Sequence, residues 1–310
     1  MSEPTPDTRP TARQITEGTD LSGRECIVTG GAAGLGLETS RALAAAGGRV
    51  TLAVRNAAQG AAAVEELVAG TGNTNVRAMH LDLSDLASVA AFTAAWGNRP
   101  LHVLINNAAI MACPLQRTSQ GWEAQFATNH LGHFALTTGL LPALLRSAPA
   151  RVVALSSSGH KFAGVDFDDI HFERREYSKW VAYGQAKSAN ALMTLGIHLR
   201  HGGDGITANA VNPGGIMTGL QQHLTHEEMQ AMGWFNPDGT PLSVFKSTEQ
   251  GAATSVWAAV APELEGRGGL YLEDCAIARP NTQRGVGYAE HVVDPEAATR
   301  LWAVSEELLA

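Results

Sequence analysis

The stretch RECIVTGGAAGLG, residues 24–36, joins a short apolar run to a glycine-rich turn and then to the start of a helical pattern. Glycines at such a turn let the backbone approach a pyrophosphate closely, and the N-terminus of the following helix favours negative charge. The glycines Gly30, Gly34 and Gly36 have the spacing Gly-x3-Gly-x-Gly, which differs from the common GxGxxG pattern. Taken alone, the turn is equally consistent with close packing of a helix against a strand.

Beyond Arg24 the sequence alternates short β-branched runs with longer alanine- and leucine-rich segments of helical spacing. This alternation is typical of βαβ units, whose largely apolar strands form a parallel sheet covered by helices on both faces. We therefore expect an α/β fold with a doubly wound parallel sheet, Rossmann-like, in a single domain over residues 21–310. The predicted strands are residues 24–30, 49–54, 75–81, 101–107, 151–157, 206–212 and 268–272, and the predicted helices include 35–47, 56–70 and 84–96.

The composition argues against several classes of protein. The net charge is −8, and no dense run of lysine and arginine is present, so we expect no nucleic-acid partner. The three cysteines are widely spaced and suggest neither a disulfide framework nor a zinc ribbon, which fits the cytoplasm. No stretch approaches the roughly 18 apolar residues of a membrane helix. Residues 1–20, polar and proline-rich at their start, are predicted to form a disordered or extended tail.

Two segments interrupt the alternation, residues 158–182 and residues 215–246, and both follow the carboxyl ends of predicted strands. Ligands bind at that edge of an open α/β sheet, so both segments are candidate walls of a substrate site. Residues 215–246, here called the lid segment, combine large apolar side chains with glycine and proline and are predicted to cover the substrate. Packing of these side chains on the protein's own core or on another subunit is the alternative.

A second motif places Tyr183 and Lys187 four residues apart in a predicted helix that starts near Val181, so both lie on one helix face. A neighbouring cation lowers the pKa of a phenol from its usual value of about 10, which makes proton transfer near neutral pH easier. An incidental pair would explain this spacing in isolation. It becomes less convincing beside the glycine turn and a serine at the end of the preceding strand. Ser156, Ser157 and Ser158 are adjacent there, and Ser157 is the best candidate.

Together these motifs resemble those of the short-chain dehydrogenase/reductase family over roughly residues 20–275. The matching elements are TGGAAGLG (29–36), Asn106-Asn107-Ala108-Ala109, Ser157, Tyr183 with Lys187, and Pro213-Gly214. Ala109 replaces the family's usual glycine, and the interval from Ser157 to Tyr183 is longer than in most members. That interval, with AYGQAKSAN, KSTEQGAA and LYLEDC, looks like the branch that contains the retinol dehydrogenases and the WW domain-containing oxidoreductase.

The resemblance implies an oxidoreductase that interconverts a carbonyl and an alcohol by hydride transfer, with a bulky lipophilic or aromatic substrate. Tyr183 would exchange the proton, Ser157 would bind the reacting oxygen, and Lys187 would lower the Tyr183 pKa and hold the nicotinamide ribose. Asn129 matches a fourth catalytic residue, which supports a water relay to Lys187; a local hydrogen bond within its helix is the alternative. The implied cofactor-binding positions are Gly30, Gly34, Leu35, Gly36, Arg55, Asp82, Asn107, Ala108, Tyr183, Lys187, Pro213, Gly214, Ile216 and Thr218.

Cofactor preference can be predicted at the end of the second strand, where an NAD-binding protein carries an acidic residue for the ribose 2′-hydroxyl. The sequence there is AVRN, residues 53–56. No carboxylate is present to repel a 2′-phosphate, and Arg55 can bind one through charge-assisted hydrogen bonds. NADP(H) is therefore predicted over NAD(H), although a solvated Arg55 at a helix start is the alternative.

Other chemistry remains open at this stage. The same scaffold supports C=C reduction or epimerisation, and a dinucleotide-binding sensor without turnover would use the same turn. The joint presence of Ser157, Tyr183 and Lys187 argues against the sensor, because binding alone needs no proton donor. The predicted partner is a small-molecule substrate with a carbonyl or alcohol group, and a homo-oligomer is left open. The pairs His130 with His133 and His198 with His201 lack a carboxylate partner or an HExxH form, so no metal site is predicted.

Overall fold

The computed structural model describes residues 8–281 and 285–310. Its strands are β1 (Glu25–Thr29), β2 (Arg49–Val54), β3 (Val76–His80), β4 (Val103–Asn106), β5 (Ala150–Leu155), β6 (Ile206–Asn212), β7 (Tyr271–Glu273) and β8 (Ala276–Ile277). Within the described ranges they form one sheet in the order β3-β2-β1-β4-β5-β6-β7-β8, parallel throughout except for the antiparallel pair β7 and β8. The predicted doubly wound parallel sheet is confirmed, and the short edge strand β8 is the addition.

Helices connect the strands and cover both faces of the sheet. They are α1 (Ala12–Ile15), α2 (Gly34–Ala45), α3 (Ala57–Thr71), α4 (Leu86–Trp96), α5 (Ala124–Phe126), α6 (Gly132–Arg146), α7 (Lys179–His201), α8 (His226–Ala231), α9 (Thr248–Val260) and α10 (Pro295–Leu309). A π-helical turn, Ala127–Leu131, joins α5 to α6, and short 3-10 turns include Ser158–Phe162 and Gly219–Gln221. No helix within the described ranges has both the length and the apolar composition that crossing a bilayer requires.

The apolar core lies in two layers because side chains of a strand alternate between the faces of the sheet. In β1, Ile27 belongs to one layer, and Cys26 and Val28 belong to the other. The first layer is completed by α4, α6, α7 and α10, which contribute Phe92, Trp96, Leu140, Met193 and Trp302. The second is completed by α2, α3 and α9, which contribute Leu43, Leu67 and Ala258. Both layers leave the carboxyl edge of the sheet to the connecting loops.

Part of the segment that was expected to be a disordered or extended tail is instead folded. Thr11 caps α1 with its side chain, and the buried Ala12 packs against α2 and α9. The guanidinium of Arg9 donates hydrogen bonds to the carbonyls of residues 243–245 at distances of 3.1–3.4 Å. The tail prediction is wrong for this part, because one helical turn is too short to show a period in the sequence. Residues 1–7 of the predicted tail lie outside the described residues.

The turn after β1 brings α2 unusually close to the neighbouring backbone. Gly30 and Gly34 have positive φ angles of 65° and 51°. A Cβ on Gly36 would lie 2.2 Å from the carbonyl oxygen of Gly30 and 2.7 Å from Nδ2 of Asn107. That amide in turn donates to the carbonyl oxygen of Thr29 at 2.7 Å. The glycine at 36 is therefore required by packing, whatever the turn binds.

We expect Gly36→Ala to lower the free energy of unfolding by about 2 kcal/mol, because its methyl group has to displace backbone atoms. Gly70→Ala is a matched control on an exposed part of α3, where a Cβ meets only the end of the Arg41 side chain at 3.3 Å. The control should raise the free energy of unfolding by about 0.5 kcal/mol through helix propensity. Urea unfolding of both variants measures the difference, and equal effects would contradict the close approach.

Candidate active site

A cavity of about 1180 Å³ opens at the carboxyl edge of the sheet, where β1 and β4 are neighbours and the strand order reverses direction. Such a switch point is the usual ligand-binding crevice of an open α/β sheet. The structure brings to its wall all the cofactor-binding positions that the sequence predicts, namely Gly30, Gly34, Leu35, Gly36, Arg55, Asp82, Asn107, Ala108, Tyr183, Lys187, Pro213, Gly214, Ile216 and Thr218. Their contact with a cofactor stays a prediction.

One half of the cavity is formed by the glycine turn and the strands beside it. The first turn of α2 presents its free N–H groups to this half, where they favour an anion. Asp82 is held by Ser84, whose N–H and hydroxyl both donate to Oδ1 at 2.9 and 2.6 Å. Arg55 is exposed at the rim and makes no ion pair with any residue in the described ranges. This half can therefore hold a phosphorylated group.

The other half contains Tyr183 and Lys187 on α7. Tyr183 is buried, and its ring packs closely against Gly159. A Cβ on Gly159 would lie 2.8 Å from Cε1 of Tyr183, so there is no room for a side chain at this position. The ammonium of Lys187 donates to the carbonyl oxygen of Leu155 at 2.9 Å and lies 5.7 Å from the centre of the Tyr183 ring. The sequence reasoning missed Gly159. Its signal was a glycine two residues after the candidate serine.

Burial controls the protonation of both side chains. It raises the pKa of Tyr183 to about 12, and a hydrogen bond with the Ser157 side chain opposes this only in part. Burial also lowers the pKa of Lys187 to about 7. The sequence reasoning expected Lys187 to lower the Tyr183 pKa, but in this structure burial outweighs any such effect. The phenol therefore keeps its proton at neutral pH, whereas the lysine loses its proton more easily than an exposed lysine does.

The three adjacent serines have different environments. Ser156 is buried and donates to the carbonyl oxygen of Lys187 at 2.9 Å, and Ser158 is exposed. Ser157 lies between them in extended backbone, and its side chain is the one that lowers the pKa of Tyr183. Its Oγ accepts the N–H of Gly159 at 3.0 Å, so its own hydrogen remains available for a second oxygen. All three serines line the cavity, Ser157 remains the best candidate, and its role stays a prediction.

Asn129 lies in the π-helical turn and is fully buried. Its Oδ1 accepts the N–H of Ile110 at 2.9 Å, and its Nδ2 donates to the carbonyl oxygen of the same residue at 2.9 Å. The side chain therefore fixes the loop after β4 instead of bonding within its own helix. It is not part of the cavity wall, and the water relay that the sequence reasoning assigns to it stays a prediction.

His130 in the π-helical turn and His133 at the start of α6 have hydrogen-bond partners in the core. His133 donates from Nδ1 to the carbonyl oxygen of Asn129 at 2.8 Å, and its Nε2 lies 2.8 Å from the hydroxyl of Thr29. His130 bonds Ser305 of α10 through Nε2 at 2.8 Å. In the part of the chain that the structure describes, no three His, Cys, Asp or Glu side chains are grouped to hold a metal ion.

The lid segment contributes an apolar wall opposite the glycine turn. Its large apolar side chains in the cavity wall include Leu220, Met232, Trp234 and Phe245, and Met111 and Trp180 line the cavity from outside the segment. Leu224 and Met229 pack with Met111 and Tyr183, whereas Val244 is exposed. An ion pair between Lys179 and Glu228 ties α8 to the start of α7. The segment therefore covers the cavity and also packs on the protein, so the two interpretations of its sequence are not exclusive.

Lys246 fixes the base of the lid segment. Its backbone N–H donates to the carbonyl oxygen of Gly215 at 2.9 Å, and its ammonium donates to that of Pro213 at 2.9 Å. The same ammonium forms an ion pair with Asp274 in the turn between β7 and β8. The first and last residues of the segment are consequently held side by side at the edge of the sheet.

Residues 24–229 match the family model described as short chain dehydrogenase. The chain is 51% identical over 297 residues to a protein of Streptomyces antibioticus named "Probable oxidoreductase", over 94% of this chain and 99% of that one. It is 39% identical over 298 residues to retinol dehydrogenase 12 of Mus musculus, over 95% of this chain and 89% of that one.

Two solved structures have the same fold. An uncharacterised protein from Mycobacterium paratuberculosis matches with a TM-score of 0.74 and 32% identity over 97% of both chains. RhlG of Pseudomonas aeruginosa, in an active-site complex with NADP, matches with a TM-score of 0.63 and 26% identity over 82% of this chain and 95% of that one. The chain is therefore an oxidoreductase of the short-chain dehydrogenase/reductase family, in the branch of the retinol dehydrogenases and the WW domain-containing oxidoreductase.

Proposed function

We propose that the protein interconverts a carbonyl and an alcohol by hydride transfer with NADP(H), on a bulky lipophilic or aromatic substrate. The observation that carries the proposal is the position of the buried Tyr183 side chain, which lines one cavity together with Ser157 and lies between two unlike halves of it. The half with the glycine turn suits a dinucleotide. The half with the lid segment suits an apolar molecule.

The residues of the first half fit a nicotinamide dinucleotide, the cofactor that the family supports. The glycine turn and the N-terminus of α2 would hold its pyrophosphate, and Arg55 would hold a 2′-phosphate. Lys187 would hold the nicotinamide ribose. When bound, the nicotinamide gives or takes the hydride at the carbon that reacts. The side chains of this protein would donate or accept every proton in the step.

Tyr183 would supply the proton to the carbonyl oxygen in reduction, and its raised pKa keeps it in the protonated form which that step needs. Ser157 would donate a hydrogen bond to the same oxygen and stabilise the charge that develops there. Lys187 would stabilise the phenolate that remains, because a protonated amine on the same helix face favours the charged form of Tyr183. The apolar wall would exclude water from this step.

Tyr183→Phe should lower kcat by at least about 100-fold, because no other phenol can deliver the proton. The affinity for NADPH should stay within about twofold, since the ring and its packing remain. Steady-state rates and NADPH fluorescence titrations measure both quantities. Tyr288→Phe, which removes a hydroxyl outside the cavity, is the control and should keep the wild-type kcat. A Tyr183→Phe enzyme with near-normal kcat would contradict the mechanism.

Arg55 should decide between the two dinucleotides. We expect the wild type to bind NADPH at least about tenfold more tightly than NADH, as one charge-assisted contact can provide. Arg55→Asp should reverse the order, because the new carboxylate repels a 2′-phosphate and can bond a ribose hydroxyl. Arg146→Asp, an exposed position at the end of α6, is the charge-matched control and should leave the preference unchanged. Equal affinities in the wild type would show that Arg55 is merely solvated.

The apolar wall should make catalytic efficiency rise with substrate size. Across the phenyl alkyl ketones from acetophenone to octanophenone, kcat/KM of the wild type should increase by about threefold for each buried methylene group until the cavity is filled. Trp234→Ala should flatten this series, whereas Trp257→Ala, outside the cavity, should not. The series is read from NADPH absorbance. A flat wild-type series would exclude the lipophilic substrate class and leave the oxidoreductase assignment unchanged.

A further inference from the structure

Behind the candidate serine, on the side away from the cavity, lies a fully buried imidazole. His160 belongs to the 3-10 turn that follows Ser157, and its Nδ1 lies 2.5 Å from the carbonyl oxygen of Ser157. The backbone N–H of His160 donates to the same oxygen at 3.0 Å. The hydroxyl of Tyr271 lies 3.1 Å from this oxygen and 2.9 Å from Nδ1. His160 does not line the cavity, so it does not touch a substrate there.

The partners of His160 determine which ring nitrogen carries the hydrogen. The backbone N–H of Ala289 points at Nε2 at 3.0 Å, and an amide N–H can only donate. Nε2 is therefore the acceptor, and in the neutral ring Nδ1 carries the hydrogen. Burial lowers the pKa of His160 to about 4, so the ring is neutral at physiological pH. Nδ1–H accordingly donates to the Ser157 carbonyl.

Ser157 is thus held at two points by one turn. Its side-chain oxygen accepts from the N–H of Gly159, and its carbonyl oxygen accepts from His160. The first bond occupies one acceptor position of the hydroxyl oxygen and leaves its hydrogen free to donate. The second fixes the peptide from which that side chain projects. Because a catalytic hydrogen-bond donor has to stay within a few tenths of an ångström of its place, a free peptide at this position would weaken the donor.

We propose that His160 is a positioning residue, which holds the main chain of Ser157 in place for the reaction through its Nδ1–H. The inference rests on the proposed function, in which Ser157 binds the reacting oxygen. It extends the site to β7 and the segment after it, because Tyr271 of β7 and Ala289 contact the imidazole. The match to the family model ends at residue 229, before either of them.

Two substitutions separate the two hydrogen bonds of the ring. In His160→Asn the amide nitrogen stands as many bonds from Cα as Nδ1 does, so it can still donate to Ser157. In His160→Gln the amide oxygen can reach the Ala289 N–H, but the donor to Ser157 is lost. We expect His160→Gln to lower kcat about tenfold for octanophenone, the cost of one buried hydrogen bond, with KM and NADPH affinity unchanged. His160→Asn should retain kcat within about twofold.

The outcomes distinguish this inference from the proposed function. Ser157→Ala, measured in parallel, should lose at least about 100-fold in kcat. If it does and His160→Gln keeps the wild-type kcat, the positioning role of His160 is wrong and the proposed function stands. Equal losses in His160→Asn and His160→Gln would also overturn the role, because the donor to Ser157 would then be immaterial. A fully active Ser157→Ala would overturn both.

A spectroscopic measurement tests the inference without turnover. In the wild-type protein labelled with 15N-histidine, the His160 ring should show a protonated Nδ1 and an unprotonated Nε2 at pH 7. His160→Gln, whose spectrum lacks this pair of signals, provides the assignment. A ring protonated at Nε2 could not accept the Ala289 N–H or donate from Nδ1 as a neutral group, and it would overturn the proposed arrangement.

Discussion

A chain of hydrogen bonds through the Thr29 hydroxyl holds the central crevice of this sheet in shape. The hydroxyl accepts the N–H groups of Asn107 and Ala108 at 2.8 and 2.9 Å, which joins the end of β1 to the end of β4. Its own hydrogen is directed at Nε2 of His133, whose Nδ1–H is bonded to Asn129. The side chain of Asn129 in turn fixes the loop after β4. The glycine turn, the π-helical turn and the cavity floor are therefore one connected unit.

Burial has opposite consequences for the two ionisable groups on α7. Burial raises the pKa of Tyr183 and lowers the pKa of Lys187 to about 7. One low-dielectric environment therefore favours the neutral form of both side chains. The cost of burying an amine is reduced by its bond to the Leu155 carbonyl at the end of β5. The end of β5 therefore contacts Lys187 through Leu155, and the residues that follow it, Ser157 and Gly159, lie beside Tyr183.

The sequence predicted the features that depend on local pattern. The strands come from apolar runs, and the residues expected to bind the cofactor come from glycine and strand-end motifs, which meet at one cavity because parallel strands share an edge. What it did not predict depends on contacts between distant segments. α1 packs against α9, His160 accepts a hydrogen bond from the distant Ala289, and the side chain of Asn129 bonds Ile110 and not its own helix. Neither hydrophobic periodicity nor a sequence motif predicts such contacts between distant residues. The pKa of Tyr183 was expected to follow from its spacing to Lys187, whereas the depth of burial, which no spacing encodes, outweighs it.

The hydrogen bonds of Lys246 to Pro213 and Gly215 mark the boundary between the lid segment and the rest of the molecule, and the two parts are under different structural constraints. Lys246 bonds the carbonyl oxygens of Pro213 and Gly215, so the roughly thirty residues between Gly215 and Lys246 form a loop whose two ends are held together. The side chains inside this loop do not form the closure. Cavity-facing side chains of this loop, such as Met232, can be exchanged while the strands and the serine keep their places. The molecules that the cavity accepts can therefore change while one chemistry is retained, and the cavity-facing part of this loop is where such a change should cost the fold least.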